Sequence, residues 1–108
     1  MSTQPVQSSA VIDRPERQRY ELAVDGSVVF ADYQSQPGKV VITHVETPTA
    51  LRGRGLAAVL MQGLVDHAEG RGLQIVPVCS YAQDWMSRRE PSFAWLGSVY
   101  YFKFLKIK

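Results

Sequence analysis

Cysteine is almost absent. Cys79 stands alone, which rules out an intrachain disulfide and a cysteine-based metal cluster. Net charge is also small: 12 basic residues against 10 acidic ones leave +2 at neutral pH, too little to hold nucleic acid through a general positive field. No run of 18 apolar residues occurs and no signal-like apolar leader is present, so a cytoplasmic protein without a membrane span is expected. Histidine occurs only as His44 and His67, and no metal site is expected from so few ligands. What the chain does have is a core. Of its 108 residues, 45% are hydrophobic and 20% charged, enough for one small domain and not for two.

That domain is organised around Thr47-Pro-Thr-Ala-Leu-Arg-Gly-Arg-Gly-Leu-Ala57, which reads as a strand exit, a basic glycine loop and the start of a helix. A helix's first turn leaves about four N–H groups without intrahelical partners and carries roughly half a positive charge. Gly53 and Gly55 remove the side chains that would keep a ligand away, and Arg52 and Arg54 add charge. Such a place suits a phosphate or pyrophosphate. A P-loop is excluded because its lysine is missing. A dinucleotide fingerprint is formally matched by Gly53, Gly55 and Ala58, but it needs an acid about 20 residues later, and residues 73–81 contain none. A third pattern, Arg/Gln-x-x-Gly-x-Gly/Ala, is met by Arg52, Gly55 and Ala57.

Along the chain, residues 1–10 lack periodicity and read as a loose tail, and residues 1–19 together form a flexible N-terminal segment. Residues 20–24, 27–33 and 39–46 read as three antiparallel strands, the first two joined by the strong hairpin turn Asp25-Gly26. Val29, Ala31 and Tyr33 should share one face of the second strand, with Val28 and Phe30 on the other. A helix is predicted from Gly53 or Arg54 to Glu69, roughly 24 Å long, with Gly70 as its stop. The apolar run 73–80 then reads as a parallel strand. Pro77 inside it argues for an edge, a bulge or a place where the neighbouring strand has parted. A second helix over residues 81–90, capped at Ser80, is ended by Pro91. The aromatic and basic residues 99–108 form a tail or a last strand.

Three blocks in order carry a resemblance. His44-Val-Glu-Thr-Pro48, Arg52-Gly-Arg-Gly-Leu-Ala57 and Pro77-Val-Cys-Ser-Tyr81 resemble the H-x-E-x-P, R-G-x-G-[IL]-[AG] and P-x-C-S-Y blocks of small, single-domain GNAT-like N-acetyltransferases. The resemblance implies an α/β (α+β) architecture, a minimal GNAT fold: an antiparallel meander, a βαβ unit with splayed parallel strands, and a second helix, with residues 20–98 as the domain. It further implies acetyl-CoA as cofactor. Arg52, Gly53, Arg54, Gly55, Leu56 and Ala57 would hold its pyrophosphate, and backbone at Val45 and Thr47 its pantetheine arm. The acceptor would be an amine, with protein and peptide lysines included.

Acetyl transfer needs a nucleophile freed of its proton and a carbonyl oxygen stabilised as it turns anionic. Cys79 lies at the end of the strand after the cofactor helix and could take the acetyl group before passing it on; a small buried hydrophobe is the plainer reading of a lone cysteine. His44 and Glu46, two apart on one strand, share a face. His44 is a candidate base, and Glu46 a candidate base or counter-charge for an amine. Tyr81 is the expected acid for the departing thiolate. Two other functions fit the same residues: a CoA-binding sensor or partner module without turnover, and, less well, a nucleic-acid binder using the arginine loop and the C-terminal tail. A monomer or weak dimer is expected.

Overall fold

Asp25 and Gly26 both take positive φ, 50° and 80°, which is the type I′ geometry that matches the twist of two antiparallel strands. They join β2 (Arg19–Val24) to β3 (Ser27–Gln36). In this computed structural model, residues 6–89 are described, with side chains through 88, together with the backbone of 93–96 and 99–102. A third long strand, β4 (Lys39–Glu46), completes the meander, and β5 (Gln74–Pro77) adds to β4 in parallel. A short strand β1 (Ile12–Arg14) pairs antiparallel with β2. The order within the five-stranded sheet is β1-β2-β3-β4-β5. This is the expected α+β architecture of a minimal GNAT fold.

Helix α1 (Leu56–Gly70) crosses from β4 to β5. Leu56, Leu60, Met61, Leu64, Val65 and Ala68 form its buried stripe. They pack on Tyr20, Leu22 and Val24 of β2, on Val29, Ala31 and Tyr33 of β3, and on Val40 and Ile42 of β4. The faces of β3 are those the alternation predicts. Helix α2 (Ser80–Arg89) adds Ala82 and Met86 to the same core. Strands β6 (Phe93–Leu96) and β7 (Val99–Phe102) form a separate antiparallel pair, with β7 alongside β5. The remainder of the aromatic-basic segment, residues 103–108, lies outside the described residues.

Three boundaries differ from expectation. Helix α1 starts at Leu56 rather than Gly53 or Arg54, because both loop glycines sit in the left-handed region (φ +83° and +71°) and cannot continue a right-handed helix. Helix α2 begins at Ser80 itself, and the Cys79 carbonyl accepts its first helical bond from Gln83 at 3.0 Å. Ser80 is therefore inside the helix and Cys79 caps it. Residues 6–19 also carry more structure than a flexible segment. A 3₁₀ turn at Ser8–Ala10 lies on α1, where Gly63 leaves no room for a Cβ against Val11 and the Ser8 carbonyl. Glu21, buried on the far face of β2, is held by Arg14 at 3.4 Å and Arg17 at 3.1 Å. The segment is charged because its partners are charges.

Candidate functional site

The site is set by where β4 and β5 part. Their parallel register runs from Lys39↔Gln74 to Ile42↔Pro77 and stops there. The N–H groups of Val78 and Cys79 both donate to the Ile42 carbonyl, at 2.9 and 3.1 Å. Beyond that point β4 continues through Glu46, paired only with β3, while the other chain turns into α2. Pro77, buried and unable to donate, is the last residue of β5. The two strands thus open into a gap bordered by residues 43–46 on one side and Cys79 on the other.

A bulge at the start of that gap decides which side chains face where. Asp32 pairs with His44 but Tyr33 pairs with Ile42, so Thr43 is the extra residue on β4. Strict alternation would put Ile42, His44 and Glu46 on one face. The inserted residue flips the phase: Ile42 and Val45 both pack toward the core, and His44 and Glu46 face outward. His44 Nε2–H donates to Glu46 Oε1 at 2.9 Å, and both side chains are about half exposed. Glu46 also meets the Arg52 guanidinium at 3.7 Å, and Arg52 Nε donates to the Thr47 carbonyl at 3.1 Å. Phe30, beneath the Arg19 guanidinium at 3.8 Å, lies beside His44 with ring centroids 6.4 Å apart.

The glycine loop follows. A 3₁₀ turn at Thr49–Leu51 buries Leu51 in the core and so fixes the loop's entry. Gly55 is the N-cap of α1, and no side chain caps that helix end. The space around the Cα of Gly53 and of Gly55 is open, with nothing within 4 Å of a Cβ built on either. An uncapped first turn with bare approach is what an anionic group requires, so the residues present fit the pyrophosphate of a coenzyme A. Arg54 points the other way. Its guanidinium is 3.0 Å from Asp25 in the β2–β3 turn.

On the far side of the gap, Cys79 is partly exposed and packed against the core. Gln83, which sequence reasoning did not single out, anchors α2 to the end of β5 by donating to the Pro77 and Val78 carbonyls at 3.1 and 3.4 Å. Tyr81 is exposed, and burial of its ring, with Asp84 and Cys79 nearby, holds its phenol above the ordinary value. It keeps its proton at neutral pH. Among the described residues no hydrogen bond joins Cys79 or Tyr81 to His44 or Glu46. The sequence-predicted residues fall into two groups, His44–Glu46–Thr47–Arg52 and Cys79–Tyr81, linked through the Ile42 backbone. No three His, Cys, Asp or Glu side chains among the described residues gather as a metal site. No helix among them is long and apolar enough to cross a membrane.

Comparison with protein families matches residues 19–96 to the GCN5-related N-acetyl-transferase family. That is well over half of the chain, and it spans the meander, the glycine loop, the parted strands and α2. The chain belongs to that family. Membership makes this an acyl-transfer domain, of a family that generally uses acetyl-CoA and an acceptor substrate.

Proposed function

We propose that the protein is an acetyl-CoA-dependent N-acetyltransferase acting on an exposed amine, such as a protein or peptide lysine. The observation that carries this reading is the parting of β4 from β5 immediately after Ile42 and Pro77, beside an uncapped helix end. In this reading Arg52, Gly53, Arg54, Gly55, Leu56 and Ala57 hold the pyrophosphate, and the β4 backbone at Val45 and Thr47 holds the pantetheine arm. The bound cofactor supplies an activated acetyl thioester.

The chain's own residues would do the rest. Cys79 Sγ bonds to the acetyl carbon as the coenzyme's carbon–sulfur bond breaks, and Tyr81, protonated at neutral pH, gives its proton to the departing thiolate. The acceptor nitrogen then bonds to the same carbon, the bond to Cys79 breaks, and the amine proton passes through His44 or, by way of water, Glu46. Backbone N–H groups at the open strand edge are the available donors for the developing oxyanion. The outward, solvent-facing position of His44 and Glu46 supports an acceptor that arrives from bulk rather than one enclosed in a pocket.

Intact-protein mass spectrometry after incubation with acetyl-CoA tests the covalent route. An acetyl adduct is expected on the wild type, absent in Cys79→Ala, and lost on adding an amine. A wild type that binds acetyl-CoA and acetylates amines without any adduct, at a rate that Cys79→Ala retains, would replace this route with direct transfer. Binding with no transfer to any amine would instead favour a CoA-binding module.

A further inference from the structure

An open groove of about 410 Å³ runs between α1 and α2, lined by Ser8, Ala58, Val59, Gln62 and Trp85. That volume lies within the ~300–1,000 Å³ of small-molecule sites. Its position sets it apart from an ordinary surface dent. Ala58 and Val59 belong to the first turn of α1, the turn whose N–H groups face the glycine loop, and Gln62 lies one turn further. The groove therefore continues directly from the loop, on the side away from the parted strands. Its walls are mostly apolar, with the indole of Trp85 on α2, the amide of Gln62 on α1 and Ser8 from the N-terminal 3₁₀ turn. A flat aromatic wall with a few polar groups beside it suits a heterocyclic base, which offers a π-face to the indole and an edge of donors and acceptors.

We propose that this groove seats the adenine ring of the coenzyme A, with Trp85 as the stacking surface. The inference rests on the cofactor reading above and deepens it. A coenzyme whose pyrophosphate lies on residues 52–57 has its pantetheine arm on one side and its adenosine on the other. The parted strands take the arm, and the groove on the opposite side of the same helix turn is left for the adenosine. The N-terminal 3₁₀ turn, docked on α1 at Gly63, then acts as one wall of a ligand site.

Calorimetric titration of the full chain with coenzyme A and with 4′-phosphopantetheine, which keeps the arm and a phosphate but lacks adenosine, tests this. Wild type binds coenzyme A the more tightly. Trp85→Ala weakens coenzyme A about tenfold, the scale of one base–aromatic stack, and leaves 4′-phosphopantetheine unchanged, while Trp85→Phe retains most of the affinity. Because Trp85 also packs against the core, Ala58→Leu serves as a variant that fills the groove without removing anything, and it shows the same selective loss. Equal weakening of both ligands by Trp85→Ala, or Ala58→Leu with unchanged coenzyme A affinity, overturns the subsite. A wild type that binds both ligands equally well also overturns it and leaves the cofactor reading standing. A wild type that binds neither removes the cofactor reading, and the subsite with it.

Discussion

Arg54 has a partner before any ligand arrives. Its ion pair with Asp25 at 3.0 Å means that an incoming pyrophosphate must compete with a carboxylate for that guanidinium. Exposed pairs of this kind contribute about 0.2–1 kcal/mol, so relieving the competition has a modest and measurable effect. Asp25→Asn should tighten coenzyme A binding by up to about fivefold, since 1.4 kcal/mol corresponds to tenfold. Asparagine tolerates the positive φ that position 25 adopts, so the turn survives the change. Arg54→Ala should loosen binding, and on that background Asp25→Asn should do nothing. Calorimetry on the four variants settles it: a gain from Asp25→Asn that persists without Arg54 would show that the carboxylate acts on the ligand directly. The sequence displays Arg54 as a loop cation and Asp25 as a turn residue. Their pairing, 29 positions apart, is made by the fold alone.

Elements were legible in proportion to how strongly their own residues patterned them. Strands β2 to β4 announce themselves by alternation and by Asp25-Gly26, and α1 by leucines at helical spacing. Strand β1 does not. Ile12 is exposed and Arg14 serves Glu21, so no hydrophobic period marks it, and its contribution comes from pairing with β2. The docking of that N-terminal stretch on α1 was equally hidden, because it depends on the missing side chain of Gly63. A Cβ there would collide with Val11 and with the Ser8 carbonyl, and backbone cannot yield as a flexible side-chain tip would. Gly63→Ala should therefore cost about 1–3 kcal/mol, typical of overpacking, against the small gain in helix propensity. Urea denaturation measures the loss, and amide exchange should show the weakened protection concentrated at β1 and the 3₁₀ turn. Unchanged stability, with unchanged exchange at residues 8–14, would mean that the contact carries little energy. The site followed the same logic. The glycine loop, Cys79 and the His44–Glu46 pairing on one face were visible, whereas Gln83's grip on the end of β5 was not, because the carbonyls it serves are freed only when the strands part.

At the scale of the whole molecule, two phenols tie separate layers together. Tyr33 donates to Asp13 Oδ1 at 2.6 Å, joining β3 to the N-terminal strand, and the Tyr20 hydroxyl lies 2.9 Å from His67 Nδ1, joining β2 to α1. Both rings are buried and 5.2 Å apart. Burial first, and then the Asp13 carboxylate, raise both phenols well above their ordinary value of 10.0. A raised folded pKa means that the unfolded chain releases these protons first. The stabilisation is complete below pH 10 and drains away as the pH climbs beyond it, by about 1.4 kcal/mol per pH unit for each group. Urea midpoints measured from pH 9 to 11 should fall for the wild type, and fall less steeply for Tyr33→Phe. Parallel curves for the two proteins would show that Tyr33 takes no part in the alkaline loss.

The bulge at Thr43 has a consequence for how this chain can change over time. It works as a frameshift written into a strand: before it, even-numbered positions answer to the core, and after it odd-numbered ones do. Deleting that one residue would restore a single reading frame. Val45 would then turn to water, and His44 and Glu46 would turn into the space beneath α1, where an ion pair has no solvent and no partner to spare. With the frameshift in place, the two stretches of β4 evolve under separate constraints. Val40 and Ile42 can be exchanged among hydrophobes of similar volume, and positions 44 and 46 can sample new polar chemistry, without either set disturbing the other.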